Sequence, residues 1–110
     1  MIFPATALLV LSILITGPAI SPSSALTGRV VLRNTRWSAV QVEVRIGASS
    51  QCDQNESVGI KTLGRDQAWG VVSDQTICWR REQTPGDARA GWTPWSQTRL
   101  ALDEVRDITL

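Results

Sequence analysis

Residues 40–46 read VQVEVRI, so an apolar side chain alternates with a polar one along the whole stretch. Successive side chains of a β-strand point to opposite sides of the sheet, and a period of two therefore indicates a strand with one buried face. Val40, Val42, Val44 and Ile46 share that face, and their β-branched side chains favour a strand. This stretch decides the fold class, because it predicts a sheet and excludes an amphipathic helix.

Shorter alternating stretches flank this strand and are separated by polar turn residues. They are residues 28–34, 58–62, 68–72, 76–81 and 92–97, with one or two further short strands or a helical turn after Leu100. Polar residues 34–38 predict a hairpin between the strands on either side of them, and residues 63–67 predict a second hairpin. Pro94 cannot donate a ladder hydrogen bond, which predicts an edge or irregular position for the strand that contains it.

Six or seven short strands with hardly any helical period predict an all-β domain. The expected architecture is a small antiparallel β-sandwich, for which an immunoglobulin-like topology is one possibility and a small barrel is the alternative.

The first 25 residues carry no charged side chain, whereas all the charged side chains lie in residues 26–110. An apolar run over residues 5–15 is followed by glycine, prolines and small residues as far as Ala25. This order is typical of a secretory signal peptide cleaved after Ala25, which leaves residues 26–110 as a single all-β domain. The alternative is an uncleaved anchor, since a spanning helix needs roughly 20 apolar residues. We expect cleavage, no stable membrane insertion afterwards, and a secreted or periplasmic protein.

The two cysteines, Cys52 and Cys78, are 26 positions apart, which is too wide for a CxxC redox motif. A structural zinc site needs four ligands, which a chain without histidine and with two cysteines does not supply. In an oxidising compartment the pair favours one disulfide, with free or intermolecular thiols as the alternative. The bond should pin the polar loop 47–57. A strand that turns Trp79 toward the core turns Cys78 outward, unless a β-bulge or burial of both faces of the strand intervenes.

Tryptophan is the only aromatic residue after the leader. Trp69 and Trp79 alternate with other apolar residues in strands, and we assign both to the core. Trp37, Trp92 and Trp95 lie beside turn residues and have two interpretations. They form either an aromatic surface that stacks on a sugar ring, a proline-rich peptide or an arginine, or a hydrophobic lid over one open end of the sheet.

Arginine outnumbers lysine ten to one, so guanidinium groups supply nearly all of the positive charge. The positions of interest are Arg80 and Arg81, which follow Trp79, together with Arg29, Arg33, Arg36 and Arg45 on the first predicted hairpin. One interpretation is a local cationic patch suited to carboxylate, phosphate or sulfate groups. The other is solvated strand faces with cross-strand pairs to Glu43.

Two composition facts restrict the function. The chain has no histidine, which excludes Ser-His-Asp and Cys-His nucleophiles and His-ligated metal sites. Its net charge of +1 provides no general cationic surface for nucleic acid. The carboxylates lie scattered without a nucleophile or phosphate-binding motif, so we expect no catalytic residue, metal or cofactor. A third possibility, a secreted hydrolase working through carboxylates, is disfavoured for the same reason.

We therefore expect a non-catalytic module that binds a glycan or another cell-envelope or extracellular macromolecule. Its expected contact residues are Trp37, Trp92, Trp95, Arg80 and Arg81. A structural or assembly component of a cell-envelope complex is the alternative.

Overall fold

The computed structural model describes residues 27–110, so the predicted signal peptide and its cleavage site lie outside the described residues. Seven β-strands form two sheets, and residues 27–110 contain no α-helix. The strands are β1 (Gly28–Arg33), β2 (Ala39–Gly47), β3 (Glu56–Gly64), β4 (Ala68–Ser73), β5 (Thr76–Arg81), β6 (Ser96–Thr98) and β7 (Val105–Thr109). The predicted all-β sandwich is confirmed. Within the same residues, no helix has the length and hydropathy that a membrane span requires.

One sheet has three strands in the order β4-β1-β7, and the other has four in the order β3-β2-β5-β6. Strands β1–β4 and β2–β5 pair as strands B–E and C–F of an immunoglobulin-like sandwich do. The last strand departs from that plan, because β7 lies parallel to β1, whereas the other pairs are antiparallel. The expectation of an entirely antiparallel sandwich is therefore wrong at this pair. The chain crosses to the opposite sheet after β6, and β7 then runs in the same direction as β1.

Neither predicted hairpin forms, because the connections after β1 and after β3 each carry the chain from one sheet to the other. Asn34 ties the two connections together and is fully buried. Its Nδ2 donates to the carbonyls of Trp37 (2.9 Å) and Leu63 (3.0 Å), and its Oδ1 accepts from the amides of Arg36 and Trp37. A short polar side chain that satisfies backbone groups on two crossings favours a change of sheet over a hairpin.

The core between the sheets consists of side chains from β1 to β5 and from the segment before β7. They are Val30, Leu32, Val40, Val42, Val44, Leu63, Trp69, Val71, Ile77, Trp79 and Leu100. Trp69 and Trp79 are each 8% exposed, as expected of core residues. Burial of such side chains is the main favourable contribution to folding, at roughly 1.5–3 kcal/mol for a fully buried aliphatic side chain.

Strand β3 does not follow the simple alternation of its apolar residues. Val58 and Ile60 are 51% and 55% exposed. Val44 pairs with Gly59 and Arg45 with Ser57, which leaves Val58 unpaired in a β-bulge. Beyond the bulge, Ile60 stands opposite Glu43 on the outer face of the sheet.

Candidate functional site

The disulfide between Cys52 and Cys78 forms as predicted and fastens the loop between β2 and β3 to the outer face of β5. Cys78 is fully buried although it points away from the core, because this loop covers it. Asn55 supports the loop: its Nδ2 donates to the carbonyl of Ser49 (2.8 Å) and lies 3.8 Å from the Cys78 sulfur. Strand β5 is thus buried on both sides, and no bulge interrupts its pairing with β2.

Glu43 lies on the outer face of β2, two residues before the partner of Cys78, and is only 5% exposed. Arg80 stands across from it on β5, with Nη2 at 2.7 Å from Glu43 Oε1. Arg45 follows two residues later on β2, with Nε at 3.4 Å from Oε2. A buried carboxylate is costly unless it is paired, and two guanidinium groups pair this one. The expected cross-strand pair with Glu43 is therefore present.

The same guanidinium groups contact two indoles. The Arg80 Cζ lies 4.2 Å from the centroid of the Trp95 ring and 5.1 Å from that of Trp92, and the Arg45 Cζ lies 5.6 Å from Trp95. All three distances fall within the range of cation–π attraction. We call this set, Trp92, Arg80, Trp95 and Arg45, the Trp–Arg surface. Both indoles remain partly exposed on the outer face of the four-stranded sheet.

The backbone before β6 positions the two indoles. Trp92 pairs with Glu82 in an isolated bridge, and the Thr93 amide donates to the Arg81 carbonyl (2.9 Å). Regular pairing then stops until Ser96, because Pro94 interrupts the stretch. The resulting strand is three residues long and lies at the edge of the sheet, as the proline predicted. The irregular path brings both tryptophans to one arginine.

Trp37 and Arg81 belong to a different group, on the core side of β5. Trp37 packs against the core cluster, and its ring lies 4.5 Å from the Arg36 Cζ and 4.6 Å from the Arg81 Cζ. Trp37 is thus partly buried against the core and does not join the other two tryptophans. Of the five predicted site residues, the structure brings Trp92, Trp95 and Arg80 together on the outer face, whereas Trp37 and Arg81 contact each other on the core side of β5.

A cleft of about 430 Å³ opens between β5 and β6 on one side and β7 on the other. Its lining comprises Trp79, Arg81, Thr93, Pro94, Trp95, Ser96, Ile108, Thr109 and Leu110. Trp95 therefore borders both the cleft and the Trp–Arg surface. Concave, largely apolar sites with a few polar groups are the usual form of ligand sites.

Three members of the outer face were not among the predicted site residues. Glu43 and Arg45 lie in the predicted strand of residues 40–46, and the alternation places both on its polar face. Asp53 accepts a hydrogen bond from the Trp95 Nε1 (2.9 Å), which a pattern cannot reveal because the two positions are 42 residues apart.

The arginines of the first predicted hairpin do not form, together with Arg80, a single patch of unpaired positive charge. Arg33 pairs with Asp107 on the three-stranded sheet at 3.2 Å, whereas Arg45 pairs with Glu43 on the other sheet. Among residues 27–110, no three His, Cys, Asp or Glu side chains are grouped closely enough to hold a metal ion.

The pKa of Glu104, just before β7, is lowered from its ordinary value of 4.5. The main cause is the Ala101 amide, which donates to the carboxylate (2.9 Å), and the second is Arg106 (2.6 Å). Both interactions favour the ionised form.

Comparison with known proteins gives no assignment. The chain matches no protein-family model, and the comparison found no matching curated protein or solved structure.

Proposed function

We propose that this protein is an exported binding module, stabilised by its disulfide, that recognises a glycan or another macromolecule of the cell envelope or extracellular space. The proposed role is recognition without catalysis. The observation that carries it is the position of Arg80, which contacts Trp92 and Trp95 on one partly exposed surface. The uncharged leader and the disulfide support export, since disulfides persist in oxidising compartments.

The chemistry of the Trp–Arg surface suits a sugar. The apolar face of a sugar ring packs on an indole, and guanidinium and carboxylate groups supply donors and acceptors for hydroxyls. Glu43 offsets one of the two arginine charges, and Asp53 adds a carboxylate beside Trp95. The local charge is therefore close to zero, which favours a weakly charged ligand over a polyanion.

The surface is also fixed before any ligand arrives. Arg80 is held by a charge-assisted bond to Glu43, and the Trp95 indole by its bond to Asp53. Asp53 is adjacent to the disulfide residue Cys52. Side chains that are already ordered lose less conformational entropy on binding, so a surface of this kind binds more tightly than a mobile one.

Binding to purified glycans and to cell-envelope fractions tests the proposal. Trp92→Ala should weaken retention of the bound ligand about tenfold or more, since buried tryptophans at contacts are frequent hot spots. Trp92→Phe should lose less, and Leu102→Ala is the matched control, because Leu102 is apolar and 61% exposed elsewhere. If the wild type and Trp92→Ala retain the ligand equally and only the stability of the variant is lowered, Trp92 covers the sheet and does not contact the ligand.

Export is tested separately by the intact mass of the protein recovered under non-reducing conditions. We expect a chain that begins at Leu26 and lacks the two hydrogen atoms lost on disulfide formation. A recovered protein that still carries residues 1–25, or that has two free thiols, would contradict the proposed compartment.

The alternative, a structural or assembly component of the cell envelope, is favoured by one observation: β7 forms an edge of its sheet, with no strand beyond it among residues 27–110. That edge supports a more specific inference.

A further inference from the structure

The outer edge of β7 presents unpaired backbone groups in a regular pattern. The Arg29 amide donates to the Glu104 carbonyl, and the Leu110 amide donates to the Arg33 carbonyl, both at 2.9 Å. In a parallel pair each residue bonds to the two residues that flank its partner, so β1 uses alternate residues of β7. The backbone groups of the other set, Val105, Asp107 and Thr109, point to the opposite edge, where the part of the chain that the structure describes places no further strand.

The edge borders the cleft between the sheets. Ile108 and Leu110 line the cleft from the β7 side, and Trp79 and Trp95 line it from the other. A strand added to β7 would direct every second side chain toward these apolar groups. Alternating N–H and C=O groups beside apolar pockets are the features that bind peptides by strand addition, and a glycan has no matching backbone pattern.

Arg81 adds a charge to the same cleft. Its Nη1 donates to the carbonyls of Glu82 (2.7 Å) and Gln83 (3.3 Å). Within residues 27–110 it takes part in no ion pair, whereas Arg33, Arg45, Arg80 and Arg106 each do. A half-buried guanidinium without a counter-ion favours a carboxylate on whatever occupies the cleft.

We propose that the β7 edge and this cleft bind an extended segment of a partner protein, which adds a strand to the three-stranded sheet. Alternate side chains of the segment are apolar and enter the cleft, and an acidic side chain meets Arg81. A second copy of this chain fits less well. Symmetric antiparallel pairing centred on Asp107 would oppose two carboxylates, and like charges directly opposite each other destabilise a strand pair.

Selection of random dodecapeptides against the purified wild-type protein, with two variants at Asp107, tests this. The Asp107 amide points away from β1, so Asp107→Pro removes a donor from the free edge without removing a β1 hydrogen bond. Asp107→Asn is the matched control, because both variants lose the exposed ion pair with Arg33 and only one loses the amide donor. Circular dichroism of both variants checks that they fold.

Selected peptides should alternate apolar residues and contain Asp or Glu. We expect Asp107→Asn to bind them like the wild type and Asp107→Pro to bind at least tenfold more weakly. Arg81→Gln should weaken the binding of acidic peptides about tenfold, as expected for loss of a charged hydrogen bond. It should leave unchanged the binding of the same peptides with Gln in place of the acidic residue. Bound peptide should slow hydrogen exchange of the Val105, Asp107 and Thr109 amides, with the Arg106 and Ile108 amides as an internal reference.

Three results would overturn the inference: no peptide enriched above background, selected peptides that bind Asp107→Pro as well as the wild type, or a wild-type dimer that this substitution dissociates. The last would make a second copy the occupant. The Trp–Arg surface is tested independently, since Trp92 does not line the cleft. Trp92→Ala should retain peptide binding, and Asp107→Pro should retain binding of the glycan or envelope ligand.

Discussion

The two sheets share one core but differ in what lies on their outer faces. On the four-stranded sheet, Cys78 and Glu43 are buried although they point away from the core. On the three-stranded sheet, Val72 and Val105 lie on either side of Arg29 and are 56% and 63% exposed. A loop, a disulfide and paired charges therefore cover the outer faces of β2 and β5. Apolar side chains remain exposed on the three-stranded sheet, as they do on β3 at the edge of the other sheet. The comparison shows that burial on the outer face comes from covalent and polar interactions here.

Among changes to the covered outer face, removal of the disulfide should have the largest effect on stability. The Cys52→Ala, Cys78→Ala double variant should lose about 3 kcal/mol of unfolding free energy, because the bond restricts the unfolded chain. Thermal unfolding should move down by more than about 10 °C. Reduction of the wild type should reproduce the shift in melting temperature and leave the double variant unchanged. An equal melting temperature with and without reductant would show that the loop covers β5 without help from the bond.

Glu43 gives the next effect. Glu43→Gln should lower the unfolding free energy by about 2 kcal/mol, because it leaves two partly buried guanidinium groups without a carboxylate. Glu104→Gln is the matched control on the other sheet, where the Arg106–Glu104 pair is 44% and 32% exposed and a markedly smaller loss is expected. Urea unfolding of both variants measures the difference. Similar losses would mean that burial on the outer face does not strengthen the Glu43 pair.

The smallest effect is the pH dependence at Glu104. The pKa of this carboxyl is lowered in the folded protein, so its contribution to stability is complete above its ordinary pKa of 4.5 and is lost as the pH falls through the folded value. Carbon-13 NMR titration should find its pKa below 4.5 in the wild type. In Arg106→Gln the pKa should rise only part of the way, since the Ala101 amide is the larger cause. A full return would assign the whole effect to Arg106.

The strands could be predicted from the sequence, but much of their pairing could not. Alternation along residues 40–46 or 76–81 is local, and it correctly identified β2 and β5 and the inward orientation of Trp79. Pairing joins distant segments: β1 meets β4 about 40 positions later, in the register Val30 to Val71. The polar residues after β1 predicted a turn in the chain. The burial of the Asn34 side chain, which favours a change of sheet over a hairpin, could not be predicted from the sequence pattern.

The candidate site was predictable to a similar extent. Trp92, Trp95 and Arg80 were all among the predicted contact residues, and the structure joins the two tryptophans through Arg80. The burial of Glu43 could not be anticipated, because it depends on coverage of the outer face of the sheet. The cleft could not be predicted from the sequence either, since β5 and β7 face each other only in a chain that crosses between the sheets four times, after β1, β3, β4 and β6.

The parallel pairing of β1 with β7 joins the first and last strands of the fold. A chain that crosses a membrane amino end first, as the proposed signal peptide requires, delivers β1 long before residues 105–109 emerge. Until then the three-stranded sheet lacks one edge strand, and the nascent chain has to stay unfolded or incompletely assembled on the far side. Emergence of residues 105–109 is therefore the event that allows the three-stranded sheet to form, and deletion of β7 should impair folding more than synthesis.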